Sequence, residues 1–143
     1  MIDIDVPGVG PVRASLALVG EAPGEAEARL KKPFVGSAGR LLDRLLAGVG
    51  LVRRNLYITN VVKVRPPAND ISVFVRPGKK QVAGPRYEEY LLYKQALKAE
   101  LETVRPRVLV PLGNVALYAL TDKVGITKWR GSILQSTLIP GMK

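Results

Sequence analysis

The chain has 143 residues, 47% of them apolar, and a formal net charge of +10 from 22 lysines and arginines against 12 acids. That length suits one domain with a real core, and cations spread along the whole chain point to a polyanionic partner, nucleic acid first. With no cysteine and no histidine, disulfides, thiolate zinc sites, cysteine-bound iron–sulfur clusters and imidazole chemistry are excluded, so any reaction must run on carboxylates, amides, backbone dipoles, lysine or hydroxyls.

Met1 to Val12 reads as a lead-in loop with a short extended piece. It is acidic and lacks the apolar core of a signal peptide. No run approaches membrane-spanning length, and a cytoplasmic protein without membrane contact is expected. Ala14 to Val19 is the first strand, apolar without alternation, as a strand covered on both faces should be. Gly20 to Gly36 is a long loop in which Glu25 to Leu30 can form one helical turn. Ser37 is expected to cap a helix running to Val49, with Leu41, Leu42, Leu45, Leu46 and Val49 at helical spacing and Gly50 as its stop.

Leu56 to Val62 carries the strongest strand signal, dense in β-branched residues. Lys63 to Arg86 is a loop too long for a plain connection, with a small hairpin expected at Ile71 to Val75; loops of this length are functional or mobile. Arg86 to Val104 is an amphipathic helix with Leu91, Leu92, Ala96, Leu97 and Leu101 as its buried stripe. Arg107 to Leu112 is the third strand, and Gly113-Asn114 opens a short helix through Leu120. A basic loop, Lys123 to Gly131, holds the single tryptophan, Trp129, and Ser132 to Leu138 alternates as a more exposed strand would. The order predicts an α/β fold: three αβα layers around a small, mostly parallel, doubly wound sheet.

Open α/β sheets place their sites at the carboxyl ends of the strands. Here those ends present Gly20-Glu21, Thr59-Asn60 and Gly113-Asn114, and the helix N-termini at Ser37 and Gly113 add partial positive charge. One carboxylate, one or two amides and Phe34, held between Pro33 and Gly36, suit a flat polar heterocycle: Phe34 to stack on its face, Asn60 to pair with its edge, Glu21 to orient a water. Each residue also has an ordinary structural explanation. A phenylalanine in this setting plugs a core, a strand-terminal asparagine forms turns, and a glutamate in a glycine turn caps it. Gly20-Glu21-Ala22-Pro23-Gly24 is not a dinucleotide fingerprint, and no phosphate-binding P-loop is present.

The runs GEAPGEAEARLKKPFVGSAGRLLDRLL, LYITNVVKVRPPAND, RPRVLVPLGNVAL and WRG, in this order, resemble the iron–sulfur (fourth) family of uracil-DNA glycosylases from about Val6 onward. The resemblance implies a hydrolase of base-excision repair acting on uracil-containing DNA. Gly20 and Glu21 match its first motif, where the backbone nears the base and the carboxylate positions the attacking water; Pro23 and Gly24 complete that turn against the substrate. Phe34 matches the ring that stacks on flipped uracil, and Asn60 the amide that reads its pairing edge; Tyr57 is then strand packing. Ser37, Lys63, Arg65, Lys79, Lys80 and Arg130 are the expected DNA contacts.

Three features depart from that family. Its four cluster cysteines are absent: the third falls at Val64, and Ile71 to Gly84 replaces the segment carrying the fourth. No cofactor and no metal are therefore expected. Its closing motif is a His-Pro-Ser-type loop on the final core strand, and this chain stops at Pro140-Gly141-Met142-Lys143, about where that strand is expected to begin. The loop bearing Arg76, Lys79, Lys80 and Arg86 is unusually basic, serving either as a phosphate-contacting arm or as a solvated surface. The expectation is a single glycosylase-like domain over 1–143, truncated at its C-terminus, acting as a monomer or within a larger, viral or cellular, replication or repair protein. Two rivals are a non-catalytic module of the same fold that binds DNA or a partner, and an unrelated nucleotide-binding α/β protein.

Overall fold

Three short strands, β1 (Leu16–Gly20), β2 (Tyr57–Asn60) and β3 (Val108–Pro111), form one parallel sheet in the order β2-β1-β3 in the computed structural model, which describes residues 2–143. The helices are α1 (Glu25–Leu30), α2 (Ser37–Gly48), α3 (Tyr87–Val104), α4 (Asn114–Thr121) and α5 (Ile126–Trp129). Successive strand side chains point to opposite faces, and this sorts the core in two. Ala17, Val19, Tyr57 and Leu109 join Tyr90, Tyr93, Leu97 and Leu101 of α3 and Val115, Ala116, Ala119 and Leu120 of α4. Leu18 and Ile58, flanked by Leu16 and Val110, meet Leu42 and Leu46 of α2. The expected three-layer αβα architecture follows.

Both long helices bury narrower stripes than their composition suggested. In α2 only Gly39, Leu42 and Leu46 are buried, while Leu41, Leu45 and Val49 are exposed. A residue one position along a helix sits about 100° round it, and a single sheet face cannot cover both leucine rows. In α3 the buried set is Tyr90, Tyr93, Leu97, Leu101 and Val104, with Leu91 and Leu92 outside. Tyr90 and Tyr93, not Leu91 and Leu92, take the core row.

Three local expectations are corrected. Ser37 is the first helical residue of α2 and not its cap; the capping position is Gly36, in extended backbone. Ile71 to Val75 is not a hairpin but a 3-10 turn at Ile71–Val73 followed by a single antiparallel bridge, Val75 to Ala83. Ser132 to Leu138 forms no strand. Its backbone and hydroxyls close the end of α4 instead: Ser136 Oγ and the Thr137 N–H both donate to the Leu120 carbonyl, at 2.8 and 2.9 Å.

The long loop after β2 is anchored. Val61 and Val62 N–H continue the ladder onto the Gly20 and Glu21 carbonyls at 2.9 and 3.0 Å. Phe74 and Val75 are fully buried, and Phe74 meets Tyr93 edge-on at 6.1 Å, with the Arg86 guanidinium carbon 4.7 Å from the Phe74 ring centre. With thirteen residues between Asn60 at the end of β2 and Phe74, the loop thus drives its own apolar plug into the main core.

Candidate functional site

The parallel register pairs Gly20 with Asn60 and Val19 with Pro111, so the three strand ends the sequence singled out lie side by side. Gly20 is the pivot. A Cβ built on it would stand 2.4 Å from Phe34 Cζ and 2.5 Å from Asn60 Oδ1. Ring and carboxamide, from separate crossover units, therefore converge on one point over the β1 terminus. The ring edge rests directly on Gly20, so the slot expected between ring and amide is filled by Phe34 itself. The 620 Å³ cavity that Phe34 also lines, with Pro33, Arg53 and Leu56, includes neither Gly20 nor Asn60.

Phe34 is held in a backbone conformation it would not choose. Its φ is +54°, in the left-handed region that costs a residue with a Cβ free energy and persists only when neighbours over-determine it. Those neighbours were not singled out from the sequence. Arg53 donates to the Pro33 and Phe34 carbonyls at 2.6 and 2.7 Å, and to Asp43 at 2.9 Å. Gly39 lets the segment lie across α2, since a Cβ there would be 2.0 Å from the Phe34 carbonyl oxygen. Glu27 accepts the N–H groups of Gly24, Val35 and Gly36 at 2.9, 2.9 and 2.6 Å, tying α1 to the loop carrying the ring. Burial alone would raise the Glu27 carboxyl, but these donors outweigh it and hold it below the usual range. The one signal in the sequence was a glutamate three residues after a glycine helix start, the spacing of a capping interaction.

Glu21 is at the rim, solvent-accessible, with its carbonyl in the ladder. Crowding at the strand ends, then the like charge of Asp70, pushes its carboxyl above the ordinary value of 4.5. Such a group suits a base that must hold and release a proton. Pro23 is buried in the turn, and the Gly24 N–H is spent on Glu27 rather than offered to a ligand. Asn114 likewise spends its side-chain oxygen on the Ile126 N–H, at 2.8 Å.

A family model for the uracil DNA glycosylase superfamily matches residues 7–140. The type-4 uracil-DNA glycosylase of Archaeoglobus fulgidus is 44% identical over 111 residues, 78% of this chain and 49% of that protein. That of Thermotoga maritima is 41% identical over 129 residues, 89% of this chain and 60% of that protein. The chain belongs to the uracil DNA glycosylase superfamily. It spans only about half to three-fifths of the length of these relatives. A DNA polymerase of Bacillus phage SP01 is also similar, 33% identical over 129 residues that cover 90% of this chain and 13% of the polymerase.

Of the DNA contacts expected in this member of the uracil DNA glycosylase superfamily, one is corrected. Lys63 is not a surface contact: it is 3% exposed, and its ammonium is paired with Glu100 at 2.7 Å. Burial pulls its pKa down and Glu100 partly offsets that. Ser37, Arg65, Lys79, Lys80 and Arg130 are exposed, with Arg65 Nε bonded to Asn69 at 2.7 Å. The loops bearing Lys79-Lys80 and Lys123 are neighbours, because a Cβ on Gly78 would lie 3.8 Å from the Val124 side chain. The Lys123 and Lys128 ammonium groups both approach the Trp129 ring, 5.0 and 5.3 Å from its centre.

A cluster of the kind the fourth family holds does not fit this member of the superfamily. Val64, where a ligand is implied, carries no metal-binding atom and packs against the main core, and the loop that replaces the cysteine-bearing segment buries Phe74 and Val75 in that core. Among the described residues no group of three or more His, Cys, Asp or Glu is placed to hold a metal ion, and no helix is long and apolar enough to cross a membrane.

Proposed function

We propose that this chain is a uracil-DNA glycosylase that excises flipped-out uracil by hydrolysis, without a cluster or a metal. The observation that carries the reading is the convergence of Phe34 and Asn60 over a glycine that leaves room for nothing larger than hydrogen. An extruded base is read by stacking and by hydrogen bonds to its pairing edge. Phe34 lifts from Gly20 and stacks on the uracil; the Asn60 carboxamide accepts from N3–H and donates to O4. The C1′–N1 bond breaks, its electron pair leaving with the base, and backbone N–H groups at the strand ends stabilise that charge. A water placed by the Glu21 carboxylate bonds to C1′ and gives its proton to that carboxylate. The cluster-free fold is held by the Phe74 plug instead. The chain acts on DNA in the cytoplasm (the host's, if viral) as one glycosylase-like domain, a monomer or part of a larger protein.

Incubation with single-stranded uracil-containing DNA, scored for abasic sites, tests this. Wild-type activity, its loss in Asn60→Ala with nonspecific DNA affinity kept, and weakened uracil selectivity in Phe34→Ala are expected. A fully active Asn60→Ala overturns the pocket. A second reading, a non-catalytic DNA-binding module of a replication protein, draws on the absence of histidine and on the similarity to a phage DNA polymerase. Tight, salt-dependent DNA binding without cleavage selects it.

A further inference from the structure

Lys63 is buried in a chain whose other lysines all reach solvent. Its ammonium uses its three protons on three partners: Glu100 Oε1 at 2.7 Å, Thr59 Oγ1 at 2.5 Å and the backbone carbonyl of Asn60. Glu100, reaching in from α3, also accepts the Tyr57 hydroxyl at 2.5 Å and the Thr59 hydroxyl at 2.9 Å. Gly8 roofs the network so closely that a Cβ there would be 2.3 Å from Glu100 Oε2. The Asp5 and Val6 N–H groups close the edge by donating to the Lys63 carbonyl at 3.1 and 2.9 Å.

A buried ion pair returns little net stability, because desolvating two charges offsets their attraction. What this one supplies is geometry at one peptide. Asn60 ends β2, and among the described residues it bonds to side chains through its backbone carbonyl alone. Its carboxamide is held by no side-chain partner, although the residue is only 3% exposed. The direction of that amide therefore depends on the peptide plane on which it rides, and that plane is held from both sides, by the Val61 N–H on the Gly20 carbonyl at 2.9 Å and by the Lys63 ammonium on the Asn60 carbonyl. We propose that Lys63 and Glu100 are positioning residues that aim the Asn60 carboxamide over Gly20. The inference rests on reading Asn60 as the group that pairs with the base.

Lys63→Met alone leaves Glu100 part-buried and without its cation, so the test uses the double variant Lys63→Met/Glu100→Gln, which removes both charges and keeps an acceptor for Tyr57 and Thr59. It should melt close to wild type and bind uracil-free DNA within twofold, while kcat/KM on uracil-containing DNA falls on the order of a hundredfold, the loss that a small misplacement produces. The side-chain NH2 resonances of Asn60, sharp and single in the wild type, should shift and broaden. A purely structural pair would lower the melting temperature and leave both kcat/KM per folded molecule and those resonances unchanged; that result overturns the proposal. If the wild type releases no uracil, the functional reading fails, and the Asn60 resonances alone decide the positioning. Should the double variant not fold, Glu100→Gln is judged by the same two measurements.

Discussion

Arg53 grips Phe34 by its backbone and leaves the ring free: the guanidinium takes the Pro33 and Phe34 carbonyls at 2.6 and 2.7 Å while the ring lies on Gly20. This separates holding the residue in its left-handed conformation from letting its side chain move. Lysine cannot reproduce the planar fork. Arg53→Lys should therefore cost about 2 kcal/mol in chemical denaturation, from weakened charged hydrogen bonds, and should reduce uracil selectivity more than DNA affinity. The exposed neighbour serves as control: Arg54→Lys should change neither. Equal effects of the two substitutions would reduce Arg53 to a generic surface charge.

Glu27 makes the same loop sensitive to acid. Its folded pKa lies below the unfolded value of 4.5, so its contribution to stability is fully present above that value and is lost as pH falls through the folded pKa. Glu27→Ala should destabilise by about 2 kcal/mol at neutral pH, the scale of hydrogen bonds to a charged acceptor. The gap between wild type and variant should then close on acidification. Denaturation curves at a series of pH values measure this; a gap independent of pH would mean that the carboxylate charge is not what holds Gly24, Val35 and Gly36.

What was legible in the sequence follows from which physics is local. Uninterrupted apolar runs gave the first and third strands and β-branched density the second, and the glycine turn and Asn60 come side by side because sheet topology brings parallel strand ends together whatever the loops do. Arg53, Glu27 and Gly39 were not legible as site residues. Each acts on a backbone carbonyl or N–H whose position depends on how the loop folds, and no residue pattern encodes that acceptor. Lys63 was misplaced for a related reason: a lysine beside Arg65 reads as surface until Glu100, 37 residues on, is seen to reach it. The supposed strand at Ser132 to Leu138 alternated correctly, but Ser136 and Thr137 found the open carbonyl end of α4 first.

The exposed cations of two loops should act together on phosphate. Lys79 and Lys80 lie on one, Lys123, Lys128 and Arg130 on the other, and Gly78 and Val124 join them. Lys79→Ala/Lys80→Ala should weaken binding to all sequences alike and lower the slope of log affinity against log salt by about 1 to 2, since each lost contact removes about 0.7 to 0.9. Because Trp129 is the single tryptophan and two of these lysines approach its ring, its fluorescence should change on DNA binding. An unaltered salt slope would return the basic loop to solvent-exposed surface.

Asp70 adds to what burial does to the titration of Glu21. Burial is the larger cause of the raised Glu21 pKa and the Asp70 charge the second, while Asp70 is itself held ionised by the Ser72 N–H and hydroxyl at 3.0 and 2.6 Å. If the Glu21 carboxylate places the water, uracil release should fall on the acid side as Glu21 gains its proton, with the midpoint above 4.5. Asp70→Asn removes a like charge and leaves burial in place, so the midpoint should move down but not all the way to the ordinary value. Glu21→Gln should remove the acid limb and most of the activity. A profile that Asp70→Asn leaves in place would show that another group controls the limb, and Glu21 would lose its assigned role.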